Sequence, residues 1–106
     1  MAAGSIYFAT KAAVRSFARS LAAEFGEKGI RVNALSPGLI PTDFQGKTGL
    51  SQEETEGFVE SVKSTLPLGR VGSVEEIANA AVFLASNESS YMTAADLVVD
   101  SGFMNV

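Results

Sequence analysis

The sequence predicts an α/β protein built around parallel strands, and three observations carry that reading. Two short apolar runs, Ile30 to Leu35 and Leu97 to Asp100, have the composition of strands and are stopped by Ser36-Pro37-Gly38 and Ser101-Gly102. Segments with apolar residues at helical three-and-four spacing lie before the first run and between the two. Strands separated by helices pair in parallel rather than as hairpins. The predicted order is helix, strand, helix, helix, strand.

The first helix is expected over roughly Tyr7 to Phe25. Val14, Phe17, Ala18, Leu21 and Phe25 fall on one face, which predicts their burial. Ala9, Ala12, Ala13 and Ala23 form a second face of small residues, open to close approach by another helix. Gly26 should end the helix and Gly29 close the turn. Residues 37 to 50 hold two prolines and three glycines and read as a loop. Ser51 to Ser64 reads as the second helix, with Ser51 as N-cap and Glu54 completing a capping box. After the break at Pro67 and Gly69, Ser73 and Glu76 repeat that box, and Ile77, Ala81, Leu84 and Ala85 mark the third helix. A two-stranded parallel sheet with three helices exposes its strand edges and covers little sheet, so these elements read as part of a larger α/β fold.

Composition excludes several functions. The 106 residues are 46% hydrophobic with a net charge of −4, enough apolar material for one small, marginal core. Without cysteine there are no disulfides, thiolate metal sites or cysteine nucleophiles. Without histidine there is no Ser-His-Asp triad and no imidazole ligand. The pI of about 4.7 argues against a nucleic-acid partner, and no apolar run is long enough to cross a bilayer. Lys11, Arg15 and Arg19 recur at every fourth position of a stretch free of acids up to Ala23. That pattern suits a mitochondrial presequence, but the preferred reading is a globular helix with a solvated basic stripe.

Two segments could carry chemistry. Tyr7 and Lys11 lie four apart, one turn along one helix face. An adjacent ammonium favours the phenolate, and such a pair suits proton transfer to or from an alcohol. Taken alone, the pair reads by preference as an interfacial tyrosine beside an exposed lysine. Asn33 to Thr42 places Pro37 and Gly38 at the end of a strand, with Thr42 four residues beyond the glycine. Open parallel sheets bind ligands at that end, although a plain turn has the same composition. Asp100 reads as a strand-end cap, and Asp43, Glu53, Glu54 and Glu56 as acids suited to a helix start rather than a metal site.

Together these motifs resemble the C-terminal half of a classical short-chain dehydrogenase/reductase. Tyr7-Phe8-Ala9-Thr10-Lys11 is similar to that family's Tyr-x-x-x-Lys, and Gly29 to Gly38 to its next strand and Pro-Gly turn. Leu68-Gly69-Arg70, Glu75-Glu76-Ile77-Ala78 and Phe83-Leu84-Ala85-Ser86 resemble its late helices, and Leu97 to Gly102 its last strand. The resemblance implies one partial Rossmann-like domain over residues 1–106, the C-terminal fragment of a doubly wound parallel sheet completed by oligomerisation. It implies NAD or NADP as cofactor and hydride transfer between the nicotinamide and a carbonyl or alcohol carbon. Tyr7 would be the general acid/base and Lys11 would bind the nicotinamide ribose. Ile40 and Thr42 would contact the carboxamide, with Pro37 and Gly38 shaping the turn. Residues 41 to 66 match the variable substrate loop and helix.

The sequence also departs from the family pattern. It opens six residues before Tyr7, whereas the family's Gly-rich phosphate loop and catalytic serine lie further upstream, and Ser5 is too near Tyr7 to replace that serine. Phe8 stands where a small polar residue is usual, and Ala94 and Ser101 where glycine is common. The isolated chain is therefore expected to be inactive. The alternatives are a non-catalytic oligomerisation or interaction module, and one half of a split dehydrogenase completed by a separate N-terminal chain. A homo-oligomer, dimer or tetramer, in the cytoplasm is expected, with neither nucleic acid nor membrane as partner.

Overall fold

A computed structural model describes residues 2–41, 49 and 51–103 of the chain. Helix α1 (Ala2–Phe25) is followed by strand β1 (Ala34–Pro37), helices α2 (Gln52–Lys63) and α3 (Val74–Ala85), and strand β2 (Asp96–Val99). The Ala34 amide donates to the Ala95 carbonyl at 2.8 Å and the Gly38 amide to the Val99 carbonyl at 2.9 Å. Donor and acceptor advance together along the chain, which makes the β1–β2 pair parallel.

Local chemistry sets the element ends. α1 begins five residues ahead of Tyr7, in a stretch free of proline. It ends in a single 3₁₀ turn at Gly26–Lys28, and Gly29, at φ 75°, returns its N–H to the Gly26 carbonyl. Ser51 accepts from the Glu54 amide while Glu54 accepts from the Ser51 amide, so the expected capping box starts α2. Ser73 and Glu76 make the same reciprocal bonds at the start of α3.

The first strand begins four residues later than expected: the Ala94 amide still donates to the Val32 carbonyl at 2.8 Å, but side chains take the other bonds around Val32 and Asn33. The Val32 amide donates to Thr93 Oγ1, Asn33 Nδ2 donates to the Met92 carbonyl, and Asn33 Oδ1 accepts from the Ala95 amide. Regular pairing starts only at Ala34. β2 runs one residue ahead of its expected span.

The chain divides into two compact units, and each has a small core. The first comprises residues 1–35 and 82–97. Its buried residues among those described are Ala18, Ala22 and Ser89. The expected burial of Val14 and Phe17 is corrected here: they are 56% and 65% exposed. Of the described small residues of α1 only Ala18 and Ala22 are buried, whereas Ala9, Ala12, Ala13 and Ala23 are exposed. Arg31 organises the rest of this unit. Its Nη2 donates to the carbonyls of Leu84 and Ser86, at 3.0 and 3.1 Å, and its Nη1 to that of Met92 at 3.2 Å. The Leu84 carbonyl, left open at the C-terminal end of α3, gains a charged donor this way. Arg15 reaches Asp96 at 3.4 Å.

The second unit, residues 36–81 and 98–106, buries Leu66 and Thr55. Its turns are fastened by the Leu68 amide donating to Ser101 Oγ at 3.0 Å and the Gly102 amide donating to Asp100 Oδ1 at 2.9 Å. No helix among the described residues is long and apolar enough to cross a membrane.

Candidate functional site

The helical register of α1 brings Tyr7 and Lys11 together, as their spacing predicts. Lys11 Nζ stands 5.5 Å from the centroid of the Tyr7 ring. Tyr7 is 57% exposed, and Phe8 meets it edge-on with ring centroids 5.7 Å apart. A phenol and an ammonium thus share one open helix face. That arrangement can present a proton and a cation to the same hydroxylated ligand.

The second set of expected residues lies in the other unit. Pro37 closes β1, and Gly38 to Ile40 turn away from the strand's carboxyl end. A side chain at Gly38 would stand 2.7 Å from Asp100 Cα and 2.8 Å from its Cβ. Only glycine lets the turn lie this close to the backbone that follows β2. Ile40 points its Cδ1 at Gly72: a Cβ built there would be 2.7 Å from it. The Gly72 amide donates to the Leu39 carbonyl at 3.2 Å. Thr42 lies outside the described residues, as does Asp43 of the acidic group.

A cavity of about 80 Å³ adjoins this turn, lined by Gly38, Ile40, Leu66, Arg70, Gly72 and Ser101 among others. Its charged lining is Arg70, Glu76 and Asp100, and the first two are paired. Arg70 donates from Nη1 and Nη2 to the two Glu76 carboxylate oxygens, each at 2.8 Å. The Arg70 hydrogen bonds, with help from the Ser73 amide, hold the Glu76 carboxyl at about 2, and Glu76 in turn raises Arg70.

Sequence reading missed the Gly72 contact and the Arg70–Glu76 pair. Arg70 lies six residues from Glu76, outside the i,i+4 helix rule, and Gly72 reads as one more loop glycine. Asp100, read as a cap, does accept from Gly102, and it is also the surface on which Gly38 rests.

The turn and the helix face, each taken by itself, fit parts of a nicotinamide dinucleotide in kind. A turn of main chain at the carboxyl end of parallel strands suits a polar, flat headgroup, and an exposed ammonium beside a phenol suits ribose hydroxyls.

Comparison with known proteins gives the family. A family model described as enoyl-(acyl carrier protein) reductase matches residues 1–104. The 3-oxoacyl-[acyl-carrier-protein] reductase of Chlamydia muridarum is 49% identical over 96 residues, which are 91% of this chain and 36% of that protein. The galactitol 2-dehydrogenase (L-tagatose-forming) of Cereibacter sphaeroides is 44% identical over 99 residues, 93% of this chain and 37% of that protein. The crystal structure of an oxidoreductase of the short chain dehydrogenase/reductase family from Burkholderia thailandensis superposes with a TM-score of 0.85 at 34% identity, over 94% of this chain and 38% of that one. The chain therefore spans well under half the length of the relatives it matches, and the Rossmann-type α/β reading of its elements holds. Matched along nearly all of its length, the chain belongs to the short-chain dehydrogenase/reductase family.

Proposed function

We propose that these residues are the proton-transfer half of an NAD(P)-dependent oxidoreductase acting on a carbonyl or alcohol. The observation that carries the reading is the Tyr7–Lys11 pair on one open face of α1. Lys11 would hold the nicotinamide ribose by donating to its hydroxyls, and the Pro37–Ile40 turn with Thr42 would hold the carboxamide. The dinucleotide, when bound, supplies the hydride for reduction or accepts it in oxidation. Tyr7 gives its hydroxyl proton to the carbonyl oxygen as the carbonyl carbon becomes an alcohol carbon, and takes it back in the reverse direction. Lys11 stands as a cation beside the Tyr7 ring. The family's phosphate loop and catalytic serine have no counterpart among these 106 residues. Turnover therefore requires them from a longer chain or a second one, and these residues alone are inactive.

The test is a titration with NADH and with NADPH, followed by nicotinamide fluorescence. Saturation in the micromolar range supports a dinucleotide site, and Tyr7→Phe should keep that binding. Absence of binding up to millimolar cofactor removes the reading for the isolated chain.

A second reading, a homo-oligomeric module without catalysis, draws on α1. Ile6, Val14 and Phe17 share one face and are all more than half exposed, and a second copy covering that face would bury them. Light scattering at micromolar concentration decides it: a dimer or tetramer mass supports the module, and a monomer mass removes it.

A further inference from the structure

We infer that Gly72 is a positioning residue for the turn at residues 38–40, and so for whatever that turn holds. The inference rests on the proposed function for the identity of the ligand, but its geometry stands within one unit of the fold. Two contacts run from Gly72 to the turn. Its amide donates to the Leu39 carbonyl, and the place its side chain would take is filled by the end of Ile40. The Ile40 side chain is thereby committed to Gly72, which leaves its main chain as the part it can offer a ligand. Gly72 itself is anchored on both flanks. Arg70 binds both oxygens of Glu76, the Ser73 amide donates to the same carboxylate, and the Glu76 amide donates to Ser73 Oγ. The start of α3 is thus linked to the turn after β1 through one glycine.

The missing Cβ makes the link testable. A methyl at Gly72 would press on the tip of a flexible side chain, which can rotate away, so Gly72→Ala is too mild. The branched side chain of Gly72→Val exceeds what one rotation relieves and must push the turn itself. Ile40→Ala removes the obstructing atoms, and the Gly72→Val/Ile40→Ala pair carries as many side-chain carbons as the original pair. Volume-conserving exchanges are the best tolerated of core changes.

The experiment is amide hydrogen exchange on the full chain, wild type and the three variants, with NADH titrations alongside. Gly72→Val should speed exchange of the Gly38 amide and the residue-72 amide, which donate to the Val99 and Leu39 carbonyls, by about tenfold or more while the amides of α2 keep their wild-type rates. The double variant should recover at least half of that change on a logarithmic scale. Where wild type binds NADH, the dissociation constant should rise and recover in the same order. Unchanged exchange of those two amides in Gly72→Val, or a double variant no better than the single, overturns the inference. A wild-type chain that binds no NADH overturns the proposed function instead, and the exchange comparison still decides the role of Gly72. Should Gly72→Val fail to fold, a double variant that folds supports the inference as recovered exchange would, and a double variant that also fails to fold overturns it.

Discussion

Arg70 grips both carboxylate oxygens of Glu76 at 2.8 Å, in the parallel two-point geometry that a guanidinium makes with a carboxylate. The pair holds Glu76 at about 2, against an ordinary value of 4.5. A lowered carboxyl pKa contributes stability that is whole above 4.5 and is lost as pH falls toward 2. Glu76→Gln should therefore be less stable than wild type at neutral pH, and the gap should close across that window. Urea midpoints measured at several pH values check this, and a gap that stays constant down to pH 2 would sink it. Added salt should narrow the gap as well, because both partners are solvent-exposed.

Arg31 donates three hydrogen bonds to main-chain carbonyls within the first unit. Its removal would strip three carbonyls of a charged donor, so Arg31→Met should cost about 2 kcal/mol of stability. Arg31→Lys should recover only a part, since one ammonium cannot reproduce the planar fork. Denaturant unfolding of both variants tests the point, and equal stability of lysine and arginine at this position would contradict it.

Ala94 and Ser101 both adopt left-handed backbone, at φ 61° and 62°. For a residue with a Cβ that conformation costs roughly 1–2 kcal/mol. Ala94→Gly should raise stability by about 0.5 kcal/mol after the greater chain entropy of glycine is counted. Ser101→Gly relieves the same strain but deprives the Leu68 amide of its acceptor, a loss of about 1 kcal/mol. The two substitutions should differ in sign in a urea titration. A gain at both sites would show that the Ser101 hydroxyl contributes little.

Phe17 is mostly exposed on α1, so Phe17→Gln should change the stability of the monomeric fold by less than about 0.5 kcal/mol. It should lower the associated fraction in sedimentation velocity. An unchanged distribution would exclude this face from association.

What the sequence showed and what it hid follow from the range of each interaction. Ser51 with Glu54 and Ser73 with Glu76 were legible because a capping box closes within four residues. Tyr7 and Lys11 were legible for the same reason, since one helical turn fixes their relation. The start of β1 was misplaced because Asn33 and Thr93 take over hydrogen bonds that a ladder would otherwise make, and nothing near Asn33 in sequence announces its partners. Val14 and Phe17 satisfy the periodicity of a buried face, yet periodicity states which residues share a face and not whether anything covers it. Ala94 and Ser101 stood out as departures from glycine before their backbone angles explained why glycine suits those positions.

The parallel pairing of β1 with β2 has a consequence in time. Asn33 and Ala95, which meet through the Asn33 side chain, are 62 positions apart, and no tight hairpin can join parallel strands. Closing so long a loop costs entropy before any rung repays it, so the helices form early and the sheet late. Until the sheet closes, two apolar segments present unpaired main chain to every neighbouring molecule in solution. Refolding yield should therefore fall steeply with protein concentration, and the rate of the slow phase should follow Asn33 and its partners rather than the helix caps.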